Sequence, residues 1–335
     1  MSEFSGKTFA KASVPAGAFP VDPRTGFTEE CRLCPRECGV RRDSEKGSGF
    51  CRSPYTPQLI RAAAHFGEEP CISGQRGSGT LFFTGCHLSC VYCQNHTISR
   101  RMIPGYPADP DTLRQVIDSL LEQGVHNISF VSASHFSRPI AAVLRGLNLP
   151  VPVVWNCSGY ESVSALRELE GLVDIYLPDF KYADEALGRQ LSLAPDYPRT
   201  ALAAIREMLR QTGPFCLGED GLLKKGVLIR HLILPGYIEN TLRVIDILED
   251  ELPKGAFLFS LLGQYTPIRA LQQDGSLKRF PNLQRTLTKA EYDRVWDYLS
   301  FSSLEDGYVQ EPDSAGEEAI PAFDGTGLPL SSFSQ

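Results

Sequence analysis

Cys86, Cys90 and Cys93 stand in the run Thr84-Gly85-Cys86-His87-Leu88-Ser89-Cys90-Val91-Tyr92-Cys93-Gln94-Asn95. The spacing is C-x3-C-x2-C, with an aromatic residue just before the last thiol. Three thiolates this close can hold one metal centre, and soft thiolates select iron–sulfur or zinc. A structural zinc or a closed ferredoxin cluster takes four protein ligands. Three leave one coordination position for a substrate. The alternative is a zinc knuckle or an electron-carrying cluster whose fourth ligand comes from Cys31, Cys34, Cys38, Cys51 or Cys71.

A second group lies upstream. Cys31, Cys34, Cys38 and Cys51 are spaced C-x2-C-x3-C-x12-C in a glycine-rich frame. Four thiolates suit a closed structural site, either zinc or a second iron–sulfur cluster. Cys71, Cys157 and Cys216 are isolated, and small buried hydrophobes are the expectation for all three. His65, Glu68 and Glu69 lie between the two cysteine groups and read as solvated loop charges, with a contribution to substrate or metal binding as the alternative.

The chain must be able to position these groups. It has 335 residues, 42% of them hydrophobic, enough for a sizeable core. A net charge of −7 gives no general attraction to nucleic acid. No apolar run reads as a signal peptide or a bilayer span, so a cytoplasmic chain without a membrane partner is expected. Cysteines in that compartment point to metal or redox chemistry rather than disulfides.

Residues 1–26 read as an extended arm, and 27–79 as a cysteine-rich metal-binding extension with little regular structure. Strands are expected at Thr80–Thr84, Asn127–Ser132, Val151–Asn156, Val173–Leu177, Val227–Leu234 and Phe257–Leu262. Helices are expected at 111–123, 139–145, 161–170, 200–211, 239–252 and 288–300. The strands are nearly continuous apolar runs, as in parallel sheets covered by helices. Six β/α units fall short of an eight-fold barrel and suit a doubly wound sheet or an open, partial barrel over 80–302. Residues 303–335 are acidic and rich in Gly, Pro and Ser, and read as a flexible or loosely wrapped tail.

Polar motifs recur at successive strand ends. The third strand ends in Trp155-Asn156-Cys157-Ser158-Gly159-Tyr160, the fourth in Asp174-Ile175-Tyr176-Leu177-Pro178-Asp179-Phe180-Lys181. The fifth carries Arg230 and His231, and the sixth ends in Ser260-Leu261-Leu262-Gly263-Gln264-Tyr265. Together with the cysteine loop, these segments resemble the radical S-adenosylmethionine (SAM) superfamily. The C-P-R-x-C-G-V and G-F-C segments around the first cysteines narrow the resemblance to the PflX-type branch, related to pyruvate formate-lyase activating enzymes.

The resemblance implies a partial (β/α)6 TIM-like barrel with the cysteine-rich extension at its N-terminus. It implies a [4Fe–4S] cluster on Cys86, Cys90 and Cys93, whose fourth iron chelates SAM. Reductive cleavage of SAM would then yield methionine and a 5′-deoxyadenosyl radical. Tyr92, Ser132, Ser134, Asn156, Ser158, Asp179, Lys181, Arg230 and His231 are the implied SAM contacts. His135 and His231 are candidate catalytic residues, with a buried structural histidine as the alternative for each. One departure stands out. Where many relatives carry a Gly-Gly-Glu segment, this chain reads Val131-Ser132-Ala133-Ser134-His135-Phe136, without the carboxylate. The implied partners are an electron donor such as flavodoxin or ferredoxin, and a protein whose glycine loses a hydrogen atom. A small molecule, peptide or RNA is the rival substrate, and a non-catalytic iron–sulfur or zinc protein the rival class.

Overall fold

A computed structural model describes residues 30–43, 47–100, 102–312, 316 and 320–329. The expected arm at 1–26 lies outside them. The strands in chain order are β1 (Gln58–His65), β2 (Ser78–Phe83), β3 (Tyr106–Pro107), β4 (Ile128–Val131), β5 (Val153–Cys157), β6 (Ile175–Pro178), β7 (Cys216–Leu217), β8 (Leu223–Leu232), β9 (Leu258–Leu262) and β10 (Gly307–Gln310). They form one sheet in the order β10-β9-β8-β6-β5-β4-β2-β1-β3, with β7 pairing β8.

The neighbours from β2 to β10 along this path are all parallel. Their spatial order is their chain order, so the sheet winds in one direction. That is a partial barrel and rules out the doubly wound alternative, whose strand order reverses at a switch point. All six expected strands are present, and β10 adds a seventh parallel one.

The helices form because their apolar residues recur on one face and their ends are capped. In Pro110–Glu122, Leu113, Val116, Ile117 and Leu120 are buried, and the Asp109 carboxylate accepts from the Thr112 amide. Helix Lys289–Ser300 starts with a capping box between Thr288 and Glu291. One large apolar cluster joins the outward strand residues, such as Phe130 and Trp155, to this helical layer. A smaller one fills the interior with Val154, Ile175, Leu177, Leu228 and Leu258, floored by Cys71 and Ile72 from helix Pro70–Ser73. The two sets alternate along β5, β6, β8 and β9, as the pleat requires.

The extension at 27–79 holds more regular structure than expected. β1 pairs antiparallel with β2, and its Ala62-Ala63-Ala64 run carries no alternation that would announce a strand. Cys71 and Cys157 are buried, but Cys216 is exposed on β7, against expectation. The solvated reading of Glu68 and Glu69 also fails. Their carboxylates turn inward and clamp Arg230, while Asn156 donates to Glu68 and Ser260 hydrogen-bonds to Glu69.

Candidate active site around the three-cysteine loop

β2 ends at Phe83, and the loop carrying Cys86, Cys90 and Cys93 follows it directly, at the strand end where β/α barrels place their chemistry. Gly85 makes the exit possible. Its φ is +86°, and a Cβ there would sit 2.3 Å from the Ser53 hydroxyl of the extension. His135 braces the same point, its Nε2 2.9 Å from the Thr84 carbonyl. It therefore lies behind the loop.

The three thiols are free and half-buried. Burial pushes the Cys86 thiol up, with Cys90 and Cys93 adding to the rise, while the Lys181 ammonium opposes it. Burial and then Cys90 likewise raise Cys93. Such a crowd of thiols is stabilised by a metal centre that takes their charge. Among the described residues, no three His, Cys, Asp or Glu side chains converge on a single ion. A cubane does not require that, because each thiolate takes a different iron.

Lys181 is ion-paired with Asp179 at the end of β6. The Tyr197 hydroxyl ties this point to β5: it accepts from the Lys181 amide at 2.9 Å and lies 2.7 Å from the carbonyls of Ser158 and Asp179. Asn156 and Arg230 face the interior with Glu68 and Glu69. Burial raises Glu69, but the Arg230 guanidinium and the Ser260 hydroxyl outweigh it and hold the carboxyl below its usual range. His231 is elsewhere. It is fully buried, with Nδ1 2.6 Å from the Phe180 carbonyl and Nε2 2.9 Å from the Thr241 hydroxyl of helix Ile238–Glu251. Both its ring nitrogens are used in packing the strand to that helix.

Ser132 takes a left-handed conformation, φ +57°, at the end of β4. Ser134 donates to Glu161 at 2.5 Å. Glu161 comes from the loop after β5 and places a carboxylate beside that strand end. Its side chain is 3% exposed and 3.8 Å from His87 Nε2. That ring nitrogen is also 2.9 Å from the Ser158 hydroxyl. Burial lifts the Glu161 pKa to about 8 and drops His87 to about 3, so near neutrality both are uncharged and do not form an ion pair. Nothing in the local pattern marks Glu161, because its partners arrive from two other loops.

Tyr92 uses its hydroxyl on Tyr182 at 2.8 Å, and Tyr182 reaches Ser192 at 2.6 Å. Ser192 donates to Cys90 Sγ at 2.9 Å. Tyr182 and Ser192 escape sequence reasoning because the eight-residue helix Glu185–Ser192 is absent from the expected set.

The upstream cysteines also gather. Burial pushes the Cys34 thiol up to about 12; the Arg36 amide opposes this, and Cys51, Cys31 and Cys38 add to it. The Cys31 amide donates to the Val40 carbonyl and the Gly39 amide to the Cys31 carbonyl, which folds the segment into a knuckle. That knuckle sits against the catalytic side. Arg36 Nε donates to the His87 carbonyl at 2.9 Å, and Ser162 donates to the Leu33 carbonyl at 3.1 Å.

A single-wound, incomplete β/α barrel with three thiols at the exit of its first parallel strand defines a class of cluster-bearing barrel enzymes. The chain belongs to the radical SAM superfamily, whose family model matches residues 80–250. Membership implies a [4Fe–4S] cluster and SAM. The chain is 28% identical over 289 residues to the uncharacterized protein MJ0674 of Methanocaldococcus jannaschii, covering 83% of this chain and 76% of the other. It is similar to Streptococcus suis SuiB bound to precursor peptide SuiA, at 13% identity and TM-score 0.46. That match covers 68% of this chain and 46% of SuiB, so the chain spans less than half of SuiB. It is also similar to a mutant spore photoproduct lyase with dinucleoside spore photoproduct, at 13% identity and TM-score 0.45, covering 68% and 74% of the two chains. Among the described residues, no helix is long and apolar enough to cross a membrane.

Proposed function

We propose that Cys86, Cys90 and Cys93 hold the [4Fe–4S] cluster and that the enzyme abstracts a hydrogen atom from its substrate. The chemistry supplied by the bound cluster and SAM is one-electron cleavage of the sulfonium to methionine and a 5′-deoxyadenosyl radical. The chain's own groups bind and orient. Lys181 and Asp179 offer opposite charges to a zwitterion, and Asn156 and Ser158 offer hydrogen bonds at the end of β5. The aromatic wall of Tyr92, Tyr182, Tyr197 and Tyr265 keeps water from the loop. The observation that carries this reading is the placement of three half-buried thiols in the loop directly after β2, with the Lys181 ammonium from the end of β6 acting on Cys86 and Cys93.

Within this class, an activase-like reaction on a glycine of a partner protein is the reading we favour. The PflX-type motifs point the same way. The upstream four cysteines would take a second cluster, or zinc if they draw closer together, since as placed no three of them converge on a single ion. Reduction would come from a flavodoxin or ferredoxin in the cytoplasm.

Anaerobically reconstituted protein given SAM and dithionite is expected to release 5′-deoxyadenosine. Cys90→Ala should abolish both cluster absorbance and product, and Cys34→Ala should leave product formation measurable. No 5′-deoxyadenosine from protein with an intact cluster would overturn the catalytic reading. Loss of the SAM-responsive cluster in Cys34→Ala would overturn the division between the two cysteine groups.

A further inference from the structure

The loop around Cys90 is held from outside by one short segment. Helix Glu185–Ser192 ends there, and Leu193 closes it in a left-handed conformation with φ +54°. The Val91 amide donates to the Leu191 carbonyl at 2.9 Å, and the Ser89 amide to the Ser192 carbonyl at 3.4 Å. Backbone bonds therefore register the helix end against the cysteine loop on both sides of Cys90. In that register the Ser192 hydroxyl, fully buried, donates to Cys90 Sγ at 2.9 Å.

The rest of the hydroxyl chain follows from proton counting. Each hydroxyl has one proton. Ser192 has given its proton to sulfur, so Tyr182, 2.6 Å away, must donate to Ser192. Tyr92, 2.8 Å from Tyr182, must then donate to Tyr182. Three hydroxyls point in one direction, toward a sulfur. Such a chain polarises each member and strengthens the last bond.

Arg36 fixes the other end. Its guanidinium donates to the Ser192 carbonyl at 3.3 Å, to the Leu193 carbonyl and to the His87 carbonyl at 2.9 Å. Its face lies 4.0 Å from the Phe50 ring and 5.2 Å from the Tyr160 ring. Arg36 stands between Cys34 and Cys38, so the upstream knuckle reaches the same helix end.

We infer that Ser192, oriented by Tyr182 and Tyr92 and held by Arg36, is a positioning residue that raises the reduction potential of the cluster on Cys86, Cys90 and Cys93. This rests on the cluster assignment proposed above. The reduced cluster carries one more negative charge than the oxidised one. A donor aimed at a ligand sulfur stabilises the reduced form more, and hydrogen bonds to sulfur are among the levers that set such potentials. Ser192 is the side chain that applies this lever to Cys90.

The test is a redox titration of the reconstituted full chain, followed by electron paramagnetic resonance. The signal that changes on adding SAM identifies the cluster with the open iron. At the potential where wild type is half reduced, Ser192→Ala should show a reduced-to-oxidised ratio about tenfold lower, about 59 mV for a one-electron couple. Iron and sulfide content should stay unchanged. Ser192→Thr, which keeps the hydroxyl, should return to within about twofold of wild type. An unchanged ratio in a fully loaded Ser192→Ala protein overturns the inference. Should Ser192→Ala fail to hold iron, Tyr182→Phe decides. It removes one link of the chain and should lower the ratio in the same direction; no change overturns the inference. Cys90→Ala separates the two levels. If it retains the SAM-responsive signal, the cluster assignment fails and this inference with it. If it loses that signal while Ser192→Ala shifts nothing, this inference alone fails.

Discussion

His87 and Glu161 face each other at 3.8 Å, both nearly sealed from water, and both are driven to their neutral forms by that burial. The consequence for stability has a definite sign. Glu161 has an ordinary carboxyl pKa when unfolded and about 8 when folded. Below the unfolded value both states are protonated, and the stabilisation is complete. As pH rises from about 4.5 toward 8, the unfolded chain ionises while the folded one does not, and stability drains away. At 1.36 kcal/mol per pKa unit, the loss over that window is of order 4 kcal/mol. His87, depressed to about 3, acts the other way, losing its contribution as pH falls from about 6.5 toward 3. Glu161→Gln removes the first effect and retains the second. Urea midpoints at pH 5 and pH 8 should therefore show wild type losing about 4 kcal/mol relative to Glu161→Gln. Parallel curves for the two proteins would show that Glu161 ionises freely when folded. At this scale the sequence is readable where chemistry is local. The cysteine loop, Asp179 and Lys181 are contiguous motifs. Glu161, Ser192 and the clamp of Glu68 and Glu69 on Arg230 are not, because each depends on residues brought together from distant segments.

Strands that are covered on both faces announce themselves by near-continuous apolar runs, and all six expected strands are parallel members of the sheet. Elements that depend on a neighbour for their existence do not. β1 is built on an alanine run and β10 has only four residues, so pairing partners rather than side-chain pattern create them. The junction of β5 and β6 is the element contact on which the site depends most. Gly159 has φ +73°, and a Cβ there would lie 2.1 Å from the Asp179 carbonyl oxygen. That carbonyl is backbone and cannot swing aside. Gly171 offers a control, with φ +76° and nothing within 4 Å of a Cβ. Gly171→Ala should cost only the conformational strain, about 1 kcal/mol. Gly159→Ala should cost about 3 kcal/mol, because the two strand ends must also part. Equal urea midpoints for the two variants would mean that the close approach of β5 and β6 is not maintained in solution.

An open barrel has edges that a closed one lacks, and exposed edges are unpaired rows of amides and carbonyls. The acidic, Gly- and Pro-rich composition after Ser302 suggests a flexible or loosely wrapped tail and hides what the segment does. Part of it is β10, laid parallel on β9 in register from Gly307 opposite Phe259 to Gln310 opposite Leu262. Another part lies on β1 at the other side of the sheet. The Gly325 amide donates to the Ile60 carbonyl at 3.0 Å, and the Ala62 amide donates to the Thr326 carbonyl at 2.9 Å. Phe323 packs on Phe82 at 5.6 Å between ring centroids, and Leu328 is buried. One segment thus covers an edge at each end of the parallel array. Ending the chain after Gln310 removes only the second contact. The lost hydrogen bonds and apolar burial should lower stability by about 2–4 kcal/mol. Ending it after Ser302 also uncovers β9, whose Leu258-Phe259-Ser260-Leu261-Leu262 run is an apolar strand open to pairing with another chain. Sedimentation of the three lengths at matched concentration is the measurement. Self-association should rise mainly on the second cut, and a Ser302-ended chain that sediments like full length would show that β9 needs no cover.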